Sequence, residues 1–513
     1  MNARRTAIAC SLALGALGVL DASAAQAQGK NQKGGDDKCA IDFGSSDQVR
    51  KAYNNLTVLQ LGAGKNPDDA KKKLRDAVSG LTTNPDRIKD QQARNFALGQ
   101  ALVAWADLPG QPPVAKRGDL GYATDPNGTI DILAAADTAF RAVEQANPDC
   151  ADKTGVFRQQ AWAPMINAIG PLINDNKVDS AEAVLDRSLV IYRGSPFSYY
   201  FKGQIAQRKE KWADASAAYQ KSVELATPEL AQKDSNVANI REYSEFAAAY
   251  SALRDAQAQS GAQQQAGMKK AADLYRAYLK DNPNGPNAKQ AQAGLSVSLQ
   301  ASGDTASLGQ MWSDMVANPS RYTDAQLFDA GTQAFSANNI KMAVQLMALG
   351  EQANPWLRGG LFNLANAYWK DNQFDKMLPV TRKLLEIDPD NPDNYQLVAI
   401  AYQGQAKATK DLKAKRALND SVSKYVIAGE KLPVRVSFTE FTHDSSKAKL
   451  VGSVENLGTA AKSSTLTVQF LDKGGNVVAT QSAPIKVDPK KTQDFTLTAD
   501  GQNIVAFRYA PVK

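Results

Sequence analysis

The chain has 513 residues, a formal net charge of +7 and a single histidine, His443. One histidine excludes a His-dependent catalytic triad and a His-rich metal site, and no cofactor is expected. The positive excess is spread thinly and is not combined with stacking aromatic residues, which argues against nucleic acid as a partner.

The first 27 residues have the pattern of a secretory signal peptide. Arg4 and Arg5 precede an apolar stretch over residues 6–20, and small residues around Ala27 form an A-x-A cleavage site. The apolar stretch is too short to span a bilayer comfortably, and no transmembrane segment is expected after cleavage. We therefore expect an exported protein, most simply periplasmic, with secretion or attachment to the outer surface as alternatives. Residues 28–46 are expected to form a flexible mature N-terminus.

Two cysteines, Cys39 and Cys150, remain after signal cleavage. In an oxidising compartment they are candidates for a disulfide bond, and two separate thiols are the alternative.

From residue 47 to residue 430 the apolar residues recur at helical spacing. The predicted helices end at Asn-Pro or Asp-Pro pairs, because proline disfavours the helical conformation in the residue before it. These pairs lie at Asn147, Asn282, Asn354 and Asp388.

The helical pattern repeats every 34 residues. Gly331, Ala334, Ile340, Ala343, Met347, Gly350 and Pro355 are followed 34 positions later by Ala365, Tyr368, Phe374, Met377, Thr381, Leu384 and Pro389. Gly203, Trp212, Ala215 and Tyr219 have the same spacing. This pattern resembles the tetratricopeptide repeat, a helix-turn-helix unit of 34 residues. The resemblance implies a mainly α fold in which repeats stack into a right-handed superhelix, or α-solenoid.

The same resemblance implies that the first helix of each repeat lines a concave face that binds a protein or peptide. Some of the aromatic residues on that face could instead fill gaps between helices. The candidate binding residues are Phe197, Tyr200, Gln204, Arg208, Phe328, Thr332, Phe335, Phe362, Asn363, Asn366, Trp369 and Lys370.

Two stretches depart from the repeat. Residues 108–129 are rich in Pro and Gly and are expected to form a surface loop between two paired helices. Residues 406–418 contain many lysines and are expected to extend the last repeat as a basic helix, either as a solvated cap or as an anionic docking site.

After Pro433 the apolar residues alternate, as in strands. Six or seven short strands in residues 431–513 predict a small antiparallel, immunoglobulin-like β-sandwich. The segment around Val468, Phe470, Leu471 and Asp472 resembles the FxLYD-type domains of bacterial surface proteins.

No catalytic motif is complete. Ser421 and Lys424 satisfy S-x-x-K, but the companion motifs of penicillin-recognising enzymes are missing. Asp388, Asp390, Asn391 and Asp393 do not follow the calcium-loop pattern and are explained by a turn between repeats.

The sequence therefore predicts a non-enzymatic scaffold that binds a protein or peptide in the periplasm or cell envelope. A structural spacer docked to an envelope complex through the sandwich is the alternative, and an enzyme acting on cell-wall polymer is a distant third. The partner's identity and the oligomeric state are not predicted.

Overall fold

The computed structural model describes residues 38–60 and 66–512, so the predicted signal peptide lies outside the described residues. The described chain is mainly α-helical, and antiparallel strands follow the helices, as the sequence predicts. The helices are α1 (Asp47–Gln60), α2 (Pro67–Thr82), α3 (Gln91–Ala106), α4 (Arg117–Leu120), α5 (Ile132–Ala146), α6 (Ala151–Asn174), α7 (Val178–Ile191), α8 (Pro196–Arg208), α9 (Trp212–Leu225), α10 (Pro228–Lys233), α11 (Ser235–Gln257), α12 (Gly261–Asp281), α13 (Ala288–Ser302), α14 (Thr305–Ala317), α15 (Asp324–Ser336), α16 (Ile340–Ala353), α17 (Arg358–Lys370), α18 (Phe374–Ile387), α19 (Pro392–Ala408) and α20 (Leu412–Glu430).

The chain divides into two compact units, one ending at Ser298 and the other beginning at Leu299. The division falls inside α13 rather than at the predicted boundary between the repeats and the sandwich. The second unit therefore contains both the last repeats and all the strands of the sandwich.

Helix ends follow the proline signals in the sequence. Asn147, Asn282, Asn354 and Asp388 are the C-terminal caps of α5, α12, α16 and α18, as predicted. Each precedes a proline, which biases the capping residue away from the helical conformation.

Small residues allow close packing within the helix pairs. A Cβ on Gly203 in α8 would lie 2.7 Å from the ring of Tyr219 in α9. A Cβ on Gly331 in α15 would lie 2.5 Å from Cγ of Met347 in α16. These glycines let the large side chain of the second helix lie against the backbone of the first helix.

The beginning of the described chain is fastened to the first unit. Cys39 and Cys150 form a disulfide bond, which confirms the predicted pairing. Phe43 stacks on Tyr53 of α1, and the segment packs on a core that includes Phe96. Residues 38–46 are therefore held in place, in contrast to the flexibility expected for them, because the bridge and these aromatic contacts anchor them.

The two irregular stretches have defined structures. Residues 107–131 connect the packed helices α3 and α5, as expected, and contain the two strands β1 (Val114–Lys116) and β2 (Thr129–Asp131) with α4 between them. The basic stretch 406–418 is not one helix. It comprises the end of α19, a turn at residues 409–411 and the start of α20. Asp411 caps α20, because its side chain accepts hydrogen bonds from the backbone N–H groups of Lys413 and Ala414.

The strands form two three-stranded antiparallel sheets with the orders β3–β4–β7 and β6–β5–β8. Inward-facing residues of both sheets, such as Leu450 and Phe470, share one core, so the predicted β-sandwich is present. Val468, Phe470 and Leu471 are buried on β5, and the FxLYD assignment stays a prediction. The strands are β3 (Val434–His443), β4 (Lys447–Asn456), β5 (Lys462–Leu471), β6 (Val477–Val487), β7 (Thr492–Asp500) and β8 (Ala506–Tyr509).

Candidate partner-binding face

In the second unit, the predicted residues of α15 and α17 form an accessible surface, which we call the α15–α17 face (Thr332, Phe335, Phe362, Asn363, Asn366, Trp369 and Lys370). Trp369 is 43% exposed, whereas Phe335 and Phe362 are half-buried against the core beneath them. The face therefore presents one exposed indole and two partly covered phenyl rings.

Polar side chains order this face. The side-chain amide of Asn363 donates to the hydroxyl oxygen of Thr332 at 3.2 Å, which links α17 to α15. Asn366 donates to the carbonyl oxygen of Phe362 at 2.9 Å. Because these bonds use the amide nitrogens, both asparagine side chains keep acceptor capacity on their Oδ1 atoms.

Phe328 belongs to the core and not to the binding face. It is 4% exposed, and its ring lies so close to Gly350 and Gly360 that a Cβ on either glycine would approach within 3.0 Å. The 34-residue register places Phe328 and Phe362 at equivalent positions, but neighbouring helices cover only the first of them.

The predicted residues of α8 lie in the first unit, and two of the four, Phe197 and Gln204, are buried. Phe197 packs near Trp162 of α6, and Tyr200 lies in a cluster with Tyr243 of α11. Gln204 is buried and donates to the Tyr200 hydroxyl at 2.7 Å, while burial raises the pKa of that hydroxyl to about 12. Phe197 and Gln204 are thus wrong as contact residues, because helices α6 and α11 cover α8; Arg208 remains exposed.

The first unit also has a solvent-open groove of about 390 Å³ bordered by α7, α8 and α9. Both carboxylates and lysines line it, and the carboxylate of Glu182 accepts from Lys209 at 2.6 Å. This mixed, open lining does not resemble the closed carboxylate pair that a glycan-cleaving enzyme uses. The lining residues are Glu182, Leu185, Asp186, Tyr199, Lys202, Ile205, Ala206, Lys211, Asp214, Ala217, Ala218 and Lys221.

The sandwich docks on the turns between the last repeats. Asp388 is fully buried, and its Oδ1 accepts from the Tyr509 hydroxyl of β8 at 2.7 Å. Its Oδ2 accepts from Arg358, Asn391 and Asn394, so the buried charge is paired and hydrogen-bonded. Asp388, Asp390 and Asn391 therefore belong to the turn between repeats, as the sequence predicts, and Asp393 lies in the first turn of α19.

The docked sandwich contacts equivalent positions in two successive turns. Asp388 lies 34 residues after Asn354, and Asp390 lies 34 residues after Trp356. Val512 donates its backbone N–H to Asp390 at 2.7 Å. The Trp356 ring contacts two cations, Lys383 at 3.3 Å and Arg508 of β8 at 5.6 Å from its centroid. The sandwich therefore contacts residues of the repeats that lie one repeat length apart.

Further contacts surround this interface. A Cβ on Gly475, whose φ is +81°, would lie 2.2 Å from the Trp356 ring, so a glycine is needed in this sandwich turn. Lys473 approaches Asp324 at 3.3 Å. Burial opposes ionisation of Asp324, but the hydrogen bond from Asn354 and the charge of Lys473 outweigh it and lower the pKa.

Sequence reasoning missed this docking surface. Its contacts join residues far apart in sequence, for example Asp388 and Tyr509, which are 121 positions apart. One signal was available in the sequence: Asn354 and Asp388 are polar residues 34 positions apart, in corresponding turns. Both are buried in the structure.

No group of three or more His, Cys, Asp or Glu side chains in residues 38–60 and 66–512 could hold a metal ion. Over the same ranges, the helices are too short or too polar to cross a membrane.

Comparison with known proteins supports the repeat. Residues 360–391 match the tetratricopeptide repeat family model, a stretch that runs from the first turn of α17 to the capping residue of α19. This segment is therefore similar to a tetratricopeptide repeat. None of the curated proteins compared matches the chain.

Several solved structures are similar at low identity. The TPR domain of P58(IPK) is 12% identical, with 75% of this chain and 100% of that chain covered and a TM-score of 0.21. Human IFIT1, solved as a dimer with m7Gppp-AAAA, is 10% identical with coverages of 76% and 91% and a TM-score of 0.25. The APC/C Cut9–Hcn1 hetero-tetramer is 13% identical, with 75% of this chain and 87% of that chain covered and a TM-score of 0.20. Sequence identities and TM-scores this low carry no information about function.

Proposed function

We propose that this protein is a non-enzymatic interaction scaffold of the periplasm or cell envelope, and that it holds a protein or peptide partner on the α15–α17 face. The observation that carries the proposal is the exposed indole of Trp369 on α17, the helix that Asn363 links to α15, together with the half-buried rings of Phe335 and Phe362. The matching repeat segment includes the aromatic residues of α17.

The chemistry of this face suits an extended or helical peptide. Aromatic side chains supply much of the binding energy at protein interfaces when they become fully desolvated. The Oδ1 atoms of Asn363 and Asn366 would accept hydrogen bonds from backbone N–H groups of the ligand. The face carries little charge apart from Lys370, so we expect recognition to depend on apolar anchors more than on salt-sensitive attraction.

The proposed location rests on the N-terminal sequence and the disulfide bond. Disulfides form and persist in oxidising compartments such as the periplasm and the extracellular space, and they are rare in the cytosol. Both cysteines of the bridge are buried, with exposed fractions of 2% or less.

The second candidate function is that of a spacer attached to an envelope complex through the sandwich. One observation favours it: Val477 and Val478 on the edge strand β6 are exposed. Deleting residues 432–513 would not separate the two functions, because the deletion would also uncover Asp388 and Trp356 of the repeats. Point substitutions on each surface are the sharper comparison.

The experiment uses residues 28–513, which retain every residue that the structure describes. A partner is captured from envelope extract by cross-linking and identified, and its affinity for purified parent and variants is then measured. We expect Phe335→Ala/Trp369→Ala to weaken binding at least tenfold, which corresponds to about 1.4 kcal/mol or more.

The matched control is Val477→Thr/Val478→Thr on the sandwich. It should bind the partner as the parent does. If the control loses the partner and the double alanine variant keeps it, the spacer function replaces the scaffold function.

A further inference from the structure

The last helical pair of the second unit is longer than the pair before it. α19 has 17 residues where α17 has 13, and α20 has 19 where α18 has 14. Gly404 of α19 packs on Phe374, the first residue of α18, where a Cβ would lie 2.2 Å from the ring. α19 continues for four residues beyond this contact, so the connection to α20 projects about 6 Å beyond its neighbour.

This projection, residues 407–416, is here called the basic tip. It lies on the edge of the repeats opposite the docked sandwich, because α19 begins at the turn that holds Asp390 and runs away from it. Seventeen residues of helix span about 25 Å. The tip can therefore meet a flat surface without interference from the sandwich.

The tip concentrates unpaired positive charge. All five of its basic side chains are exposed, and none forms an ion pair within the part of the chain that the structure describes. The single carboxylate, Asp411, is occupied as the cap of α20. The five cations are Lys407, Lys410, Lys413, Lys415 and Arg416.

An apolar side chain lies among these cations. Leu412, the first residue of α20, is 82% exposed, more than any other large hydrophobic residue in the described ranges. A helix end that only faces water gains nothing from an exposed leucine, because apolar surface is unfavourable in water. A cationic cluster around one protruding apolar side chain is the arrangement that suits the boundary between lipid headgroups and acyl chains.

We propose that the basic tip binds the surface of anionic phospholipid membranes, with its cations at the lipid phosphates and Leu412 inserted between headgroups. The lysines and arginine are attracted to the negative surface within about one Debye length. Leu412 adds apolar burial that a soluble polyanion would not provide. The tip is separate from the α15–α17 face, so this binding does not depend on the proposed scaffold function.

The test is vesicle co-sedimentation of residues 28–513, with vesicles of phosphatidylcholine alone or with 30 mol% phosphatidylglycerol. We expect partition into the phosphatidylglycerol vesicles only, weakened in 500 mM salt. Lys413→Gln/Lys415→Gln/Arg416→Gln should lower the partition coefficient roughly tenfold to a hundredfold. Leu412→Ser should lower it about fivefold with the charge unchanged.

A matched triple variant in the first unit, Lys71→Gln/Lys72→Gln/Lys73→Gln, serves as the control and should bind like the parent. If this control lost as much vesicle binding as the tip variant, binding would follow net charge, and the proposal that the basic tip is the membrane-binding site would be wrong. Equal binding of Leu412→Ser, together with full competition by soluble polyglutamate, would show a site for acidic protein and would also overturn the membrane proposal.

Discussion

Asp388 and Asp390 lie in the same turn, but different groups surround their carboxylates. Asp388 is surrounded by donors, including the guanidinium of Arg358. Asp390 is also buried, and the donor bonded to its side chain is the backbone N–H of Val512. Burial raises the pKa of Asp390 to about 6, since the bond from Val512 and the charge of Lys462 do not offset desolvation and the repulsion from Asp388.

The raised pKa predicts that docking of the sandwich depends on pH. Between about pH 4 and pH 6 the folded state holds a proton on Asp390 that the unfolded state has released, so stability falls as pH rises through this window. Asp390→Asn should remove this dependence and stabilise β8 by about 1 to 2 kcal/mol at pH 7. Hydrogen exchange of the β8 amides at several pH values, corrected for intrinsic rates, measures the difference from the parent.

Asp393→Asn is the control for this substitution, because Asp393 is exposed in the same turn. It should leave the pH dependence of β8 unchanged. The explanation fails if Asp390→Asn keeps the parent's profile between pH 4 and pH 6.

At the residue scale, sequence reasoning predicted the disulfide but misplaced Phe328, Phe197 and Gln204, which are buried; the binding role of the exposed Trp369 stays a prediction. A 34-residue register assigns each position to a helix face. It does not say whether another helix covers that face. The face of α8 is covered by α6 and α11, and the 34-residue register does not predict these contacts.

At the scale of elements, Arg158 joins three helices of the first unit. From α6 it donates to Asp137 and Glu144, both on α5, and to the carbonyl oxygen of Ile191 at the end of α7. Arg141 and Arg193 also approach the Asp137 carboxylate. The guanidinium is nearly enclosed, so its partners would be left poorly compensated without it.

We expect Arg158→Met to lower the free energy of unfolding of the first unit by about 3 kcal/mol. Arg276→Met removes an exposed ion pair with Asp273 and should cost less than about 1 kcal/mol. Urea titrations followed by hydrogen exchange in α6 compare the two. Equal losses would mean that the Arg158 network contributes no more than a surface pair.

The helix ends were predictable because proline acts on the residue beside it, and the strands because alternation is also a local signal. The basic stretch 406–418 was predicted as a single helix because lysine and alanine both favour helix. The structure breaks it at residues 409–411, where Asp411 caps α20 instead of continuing α19.

At the scale of the whole molecule, the disulfide bond encloses helices α1 to α5 of the described chain and anchors its start. It joins cysteines 111 positions apart. Restricting an unfolded loop of that length contributes about 4 to 5 kcal/mol in the chain-entropy model.

Cys39→Ser/Cys150→Ser should therefore lower the free energy of unfolding of the first unit by up to about 5 kcal/mol. Hydrogen exchange should show the largest loss of protection near residues 38–46 and at Phe96. Protection in the second unit serves as the internal control and should not change. A uniform loss across both units would contradict this assignment.

The docking of the sandwich also has a consequence for how fast the second unit folds. Helical repeats form from contacts close in sequence, whereas the bond between Tyr509 and Asp388 joins residues 121 positions apart. Pairings over such separations close large loops and form slowly. Refolding of the second unit should therefore show early helix formation and a later phase in which the Trp356 environment becomes native.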